Sequence, residues 1–216
     1  MTRLLLGAVL LGNLRVSVQD PVTLPPPAKV RFDSVDYKNI LRWTPHNNRT
    51  SLQYSVQWKI YGERQWVDVA SCQEIQSLQC DLSEVTSEPR EWYYGRVQAS
   101  LPSSRSAWSV SPRFSPSWNT HISPPLLELT VTEQEIVVSL EPPKPAVQKM
   151  HSGLKYKIYL KRASGEEKAF EMDCCVDKLT IKRLDRKATY CLQAQVLAPL
   201  QAKLGARSPL KCVVTL

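Results

Sequence analysis

The sequence predicts an all-β protein: two tandem β-sandwiches joined by a short elbow. Three observations carry this. Short runs of alternating apolar and polar residues recur along the chain between turn residues, the period of half-buried strands. The series of runs occurs twice, with matched positions offset by about 95 to about 101 residues, the size of one seven-stranded sandwich. Glycine is scarce (7) and proline abundant (16). Prolines at segment edges suit short strands joined by turns, and few glycines argue against Gly-rich phosphate loops. At 216 residues and 43% apolar content, the chain can bury one large core or two small ones.

Met1-Thr2-Arg3 precedes a nine-residue apolar stretch, Leu4 to Gly12. This reads as a secretory signal peptide over residues 1–20, cut between Gly12 and Asp20. The stretch is too short to cross a bilayer, which takes roughly 20 apolar residues. No later segment qualifies, so no membrane span is expected and the protein is expected to be secreted.

The first module spans residues 25–116 and holds seven strand-like runs. Val30 and Phe32 mark the first, Leu41 and Trp43 the second. Tyr54, Val56, Trp58 and Ile60 form a longer third. Trp66 and Val67 sit in the fourth, and Leu78, Cys80 and Leu82 in the fifth. Trp92 to Ala99 and Ala107 to Phe114 are the last two, a hairpin around Leu101-Pro102-Ser103-Ser104. With a turn near Pro102, Arg96 and Trp108 fall about opposite each other, placing a guanidinium on an indole face.

The second module, residues 117–216, repeats the plan. Ile136, Val138 and Leu140 alternate, as do Leu154, Tyr156, Ile158 and Leu160. Leu179 and Ile181 match the fifth strand, Tyr190 to Val196 the sixth, and Leu210, Cys212 and Val214 close the module. The segment Ser115 to Ser123 joins the two. It contains Trp118 and Ile122 rather than Gly/Ser repeats, which predicts a packed elbow.

In a secreted chain, disulfides are the default use of the 6 cysteines. Cys72 and Cys80 close a small loop, and Cys191 and Cys212 face each other across the last hairpin, although six cysteines allow fifteen connectivities. Cys174-Cys175 is left open: bonded to each other, free, or exchanging with Cys191 or Cys212. Asn48-Arg49-Thr50 is a glycosylation sequon at Asn48.

Catalysis is not expected. The three histidines, His46, His121 and His151, are scattered, and no GxSxG, HExxH or phosphate-loop motif occurs. The Cys72–Cys80 spacing is not a zinc spacing, so no metal and no cofactor are expected. Net charge is +8, shared between the modules, so neither is a basic tail. Lys155, Lys157, Lys161, Arg162, Lys178, Lys182, Arg183, Arg186 and Lys187 suggest either a solvated face or a stripe for glycosaminoglycan. Nucleic acid is not an expected partner of a secreted chain.

Several motifs together resemble the class II cytokine receptors. They are Asn39-Ile40-Leu41-x-Trp43, Lys59-Ile60-Tyr61-Gly62-x-Arg64-Gln65-Trp66, Cys80-Asp81-Leu82 and Tyr93-Tyr94-Gly95-Arg96-Val97, with Trp108-Ser109 and Pro112-Arg113-Phe114-Ser115-Pro116 through Pro124-Pro125. The likeness is strong over residues 28 to 125 and thins afterwards to Tyr190-Cys191 and Cys212-Val213. It implies that both sandwiches are fibronectin type III-like. It also implies a monomer that binds a helical cytokine of the interleukin-10 family at the elbow, interleukin-22 first, and acts as a soluble decoy. The alternatives are the ectodomain of a signalling member of the family and a glycosaminoglycan-binding adhesion module.

Strand direction independently brings five loops to the elbow. They are Asp36-Tyr37-Lys38, Tyr61-Gly62-Glu63-Arg64, Glu88-Pro89-Arg90, Gln148-Lys149-Met150-His151 and Leu200-Gln201-Ala202-Lys203. Tyr61 leads as a binding anchor, because a tyrosine at a loop tip buries large area at little entropic cost. The competing role is to cap the end of the third strand. The remaining candidate contacts are Gly62, Glu63, Arg64, Asp36, Tyr37, Glu88, Arg90, Gln148, His151 and Gln201.

Overall fold

The computed structural model describes residues 24–46, 52–162, 165–176 and 178–216. The predicted leader and the sequon at Asn48 lie outside the described residues. In module one, β1 (Ala28–Val35), β2 (Lys38–Thr44) and β5 (Gln79–Asp81) form one sheet in the order β1-β2-β5. β3 (Gln53–Ile60), β4 (Val67–Asp68), β6 (Tyr93–Leu101) and β7 (Ser104–Arg105) form the other, in the order β4-β3-β6-β7, with β8 (Ser109–Val110) also on β6. Leu41, Trp43, Tyr54, Val56, Leu82 and Val97 fill the core between the sheets. This is the two-layer burial that period-2 sequences demand.

Module two repeats it. β9 (Leu127–Val131), β10 (Ile136–Leu140) and β13 (Lys178–Ile181) lie in the order β13-β10-β9. β11 (Lys155–Arg162), β12 (Glu167–Asp173), β14 (Thr189–Ala198) and β15 (Lys203–Leu204) form β12-β11-β14-β15, and β16 (Lys211–Val214) pairs with β14. β9 and β12 complete the module beyond the strands its periodicity marks. Both sandwiches carry the fibronectin type III arrangement of three strands against four, with the last strand split.

The split strand departs from the sequence reading. Pro102 and Ser103 do form the hairpin turn, but the last strand is split into β7, which precedes the predicted run from Ala107 to Phe114, and β8, which covers only Ser109–Val110 of it. A register shift pairs Arg96 with Val110, not Trp108. Serines fill the gaps in both modules. Ser106 Oγ accepts from Ala99 N at 2.9 Å, and Ser208 Oγ accepts from Ala194 N at 2.9 Å. Each hydroxyl replaces a ladder partner that the break removes. Each module also carries a tyrosine corner that the periodicity did not announce. Tyr93 donates its hydroxyl to Glu88 O at 3.1 Å, and the Tyr190 hydroxyl accepts from Asp185 N at 3.1 Å.

Cys72–Cys80 and Cys191–Cys212 are bonded as expected from their positions, the latter between directly paired residues of β14 and β16. Of the alternatives for Cys174-Cys175, the structure has them joined to each other. Gly95 faces the opposite sheet so closely that a Cβ there would meet Leu41 Cδ2 at 2.8 Å. Any side chain at this point of β6 would force the buried Leu41 side chain to shift.

Candidate functional site at the elbow

The elbow is stitched by backbone. His121 N donates to Ser34 O at 2.9 Å and its carbonyl accepts from Asp36 N at 2.8 Å, so the connecting segment pairs with the end of β1. On the other side Ala206 N donates to Ile122 O at 2.9 Å. A single helical turn, α1 (Pro116–Asn119), sits at the corner. Ser117 donates to Pro89 O, and Lys203 Nζ donates to the carbonyls of Ser117, Trp118 and Thr120 at 3.0, 3.2 and 2.6 Å. The loops carrying Asp36, Pro89, His151 and Lys203 therefore meet here, and the joint is packed, while the Tyr61 loop is tied to Trp92 instead.

Four of the candidate contacts are consumed by that packing. Asp36 and Tyr37 form a tight β1–β2 turn with both φ values positive, 50° and 66°, the geometry of a two-residue hairpin turn. The Asp36 carboxylate accepts from Ser123 N at 2.8 Å and from the Ser123 hydroxyl, and Tyr37 N donates to Thr120 Oγ1 at 3.0 Å. The Tyr37 ring leaves module one and joins the core of module two, alongside Ile122, Val147, Leu154 and Ala198. Its hydroxyl lies 2.7 Å from His151 Nε2, and His151 Nδ1 lies 3.1 Å from Gln201 Oε1. Because Gln201 Oε1 only accepts, Nδ1 carries the imidazole proton and Tyr37 donates to Nε2. With 9% and 4% of their surfaces exposed, Tyr37 and His151 present nothing to a partner. This corrects the expectation that they contact one. Desolvation pushes the Tyr37 phenol up to about 12. Burial also holds the His151 imidazole below its usual range, against the Gln201 hydrogen bond, with the Lys203 charge adding to the depression.

The other half of the site is exposed. The β3–β4 loop carries Tyr61, Gly62, Glu63 and Arg64, all open to solvent. Gly62 has a φ of +93°, a conformation L side chains rarely adopt, so the loop tip needs glycine. Lys59 Nζ donates to Glu63 O at 3.0 Å and braces the loop. Tyr61 is 56% exposed, and its backbone N donates to Trp92 O at 2.6 Å. Glu88 and Arg90 are exposed and 3.8 Å apart, a surface pair of small energetic weight. Gln148, on the short helix α2 (Pro145–Met150), is exposed and donates to Pro143 O at 2.7 Å.

The fold adds residues that the loop reading did not name as contacts. Arg113 lies over the Trp92 ring at 4.2 Å and the Tyr61 ring at 5.2 Å, and Tyr61 is 6.2 Å from Tyr94. Trp118 on α1 is 63% exposed and Leu200, in the β14–β15 turn, 74%. Trp92 shares the outward register of Tyr94 and Arg96, which is the one sequence signal that marks it. Farther along the same face, Arg96 is held between Trp66 at 4.2 Å and Trp108 at 4.4 Å, with Nε donating to Gln57 Oε1 at 2.8 Å. The expected Arg96–Trp108 stack thus forms in spite of the shifted register, as a diagonal contact.

Four of the nine basic residues singled out in module two lie near acids. Lys155 lies near Glu171 and Asp173, Arg162 near Asp185, Lys182 near Glu135 and Arg186 near Glu133. That face is mixed in sign. Among the described residues no cluster of three or more His, Cys, Asp or Glu could hold a metal, and no helix is long and apolar enough to cross a membrane.

Comparison with known proteins matches both modules. The tissue factor family profile covers residues 2–108 and the interferon-alpha/beta receptor fibronectin type III profile residues 120–216. Interleukin-22 receptor subunit alpha-2 of Mus musculus is 33% identical, over 94% of this chain and 96% of its own. That of Homo sapiens is 30% identical over 87% and 88%. Interleukin-20 receptor subunit alpha of Homo sapiens is 31% identical over 89% of this chain but 37% of its own length. Among solved structures, the chicken interferon gamma receptor alpha chain superposes with a TM-score of 0.74 at 24% identity, over 89% of this chain and 99% of that one, a likeness of fold.

Proposed function

The chain belongs to the class II cytokine receptor family, and from that premise we propose that it is a secreted receptor that binds interleukin-22 and blocks its signalling as a decoy. The observation that carries this is mutual coverage. The interleukin-22 receptor alpha-2 subunits are matched over 96%, 86% and 88% of their length in mouse, rat and human, whereas the interleukin-22 receptor alpha-1 subunit is matched over 17% and the interleukin-20 receptor alpha subunit over 37% of theirs. The elbow supplies a surface of the right kind: an exposed tyrosine on a braced loop, with arginine and tryptophan beside it and apolar residues at the corner. Aromatic and arginine side chains carry most interface energy.

The mechanism is competition, not catalysis. One monomer covers the face of the cytokine that signalling receptors require, with Tyr61 as the central anchor. Arg64, Glu88, Arg90 and Gln148 form its polar rim, where charges steer encounter more than they add affinity. The test is biosensor binding to a panel of interleukin-10-family cytokines, with inhibition of interleukin-22 signalling in cells. Saturable binding to interleukin-22 and loss of the cellular response are expected. Binding to none of the panel overturns the reading. Binding to interleukin-20-type ligands without interleukin-22 assigns the chain to the signalling-receptor class, and heparin retention without cytokine binding assigns it to adhesion.

A further inference from the structure

We propose that Arg113 is a positioning residue that holds the Tyr61 ring in its binding pose before a partner arrives. The inference rests on the reading of Tyr61 as the anchor. Beyond β8 the chain returns to β6: Tyr93 N donates to Phe114 O at 2.7 Å and Phe114 N to Tyr93 O at 2.9 Å. Phe114 is buried and stacked on Phe32, with ring centroids 4.2 Å apart, so Arg113 is turned outward on a fixed backbone. The next backbone link runs from Tyr61 N to Trp92 O. Three segments distant in sequence are thereby tied side by side, and their outward side chains make one row: Trp92, Arg113, Tyr61, Tyr94.

Arg113 has no ion pair among the described residues, so its guanidinium is committed to aromatic faces. A planar cation between two rings orders both. An exposed tyrosine otherwise gives up rotamer freedom on binding, and ordering it beforehand improves affinity without a new contact. Arg113 thus acts through Tyr61, which distinguishes it from a residue that touches the partner itself.

The experiment measures interleukin-22 binding for the full chain and its Arg113→Ala, Arg113→Lys, Tyr61→Ala and Arg113→Ala/Tyr61→Ala variants. In parallel, 3-fluorotyrosine at position 61 is observed by fluorine NMR without ligand. Arg113→Ala is expected to weaken binding roughly fivefold, to leave the thermal midpoint unchanged, and to shift and broaden the fluorine resonance. Arg113→Lys, which keeps the charge but not the plane, recovers little of it. In the Tyr61→Ala background the Arg113 substitution has no further effect. An undiminished Arg113→Ala effect in that background overturns the inference in favour of direct contact, and an unchanged fluorine spectrum overturns it outright. If Tyr61→Ala leaves binding intact, the anchor reading fails, while the fluorine spectra decide by themselves whether Arg113 holds the ring.

Discussion

Two tyrosines at the same end of module one have opposite fates. Tyr37, in the β1–β2 turn, is inserted into the core of module two and hydrogen-bonded to His151. Tyr61, in the β3–β4 loop, stands in solvent beside Arg113 and Trp92. Both occupy loop tips and both face the elbow in sequence terms, so residue type and loop position do not separate them. The layer does. The sheet containing β1 and β2 lies against the connecting segment, through the Ser34, Asp36 and His121 backbone bonds, whereas β3 and β6 belong to the other sheet. One layer of the sandwich supplies the joint and the other supplies the exposed surface.

The contrast is broken most severely at Tyr37. Tyr37→Ala empties a core position and strands the His151 ring, so a loss of about 3–5 kcal/mol is expected, read by calorimetry as a lowered melting transition. At Tyr61 the pattern inverts. Tyr61→Ala should leave stability within about 0.5 kcal/mol yet weaken interleukin-22 binding about tenfold or more on a biosensor. Equal effects of the two substitutions on stability would erase the distinction.

Acid sharpens the same contrast. His151 is held neutral by burial, between Tyr37 and Gln201 and near the Lys203 ammonium. Its folded pKa is depressed, so stability is fully present above the unfolded value of about 6.5. As pH falls below that, the unfolded chain takes up a proton that the folded elbow refuses. Stability then declines by up to about 1.4 kcal/mol per pH unit until the folded pKa is reached. His151→Gln should flatten the denaturation profile over that window, and an unchanged slope would rule His151 out as its source. The smallest effect is expected at Arg96, whose stacks stiffen the exposed face. Arg96→Ala should cost about 1 kcal/mol in a urea titration, and Arg96→Lys should fail to restore all of it because lysine lacks the planar fork.

Much of this molecule was legible in the chain. Alternation marked most strands because a half-buried sheet imposes a period of two. The repeat marked the two modules, and strand position paired Cys72 with Cys80 and Cys191 with Cys212. Strand direction brought four of the five expected loops to the joint. Alternation did not show the break in the last strand of each module, because the buried Ser106 and Ser208 hydroxyls that bridge it bond to the backbone of the neighbouring strand, which a polarity pattern along one strand does not report. Nor did it show that Tyr37 and His151, 114 residues apart, would spend each other inside the joint, or that Arg113 would come to rest on Trp92 and Tyr61. Periodicity reports which face of one strand is dry. Which loop is covered by the neighbouring sandwich depends on how two folded bodies meet, and only the tertiary structure decided that.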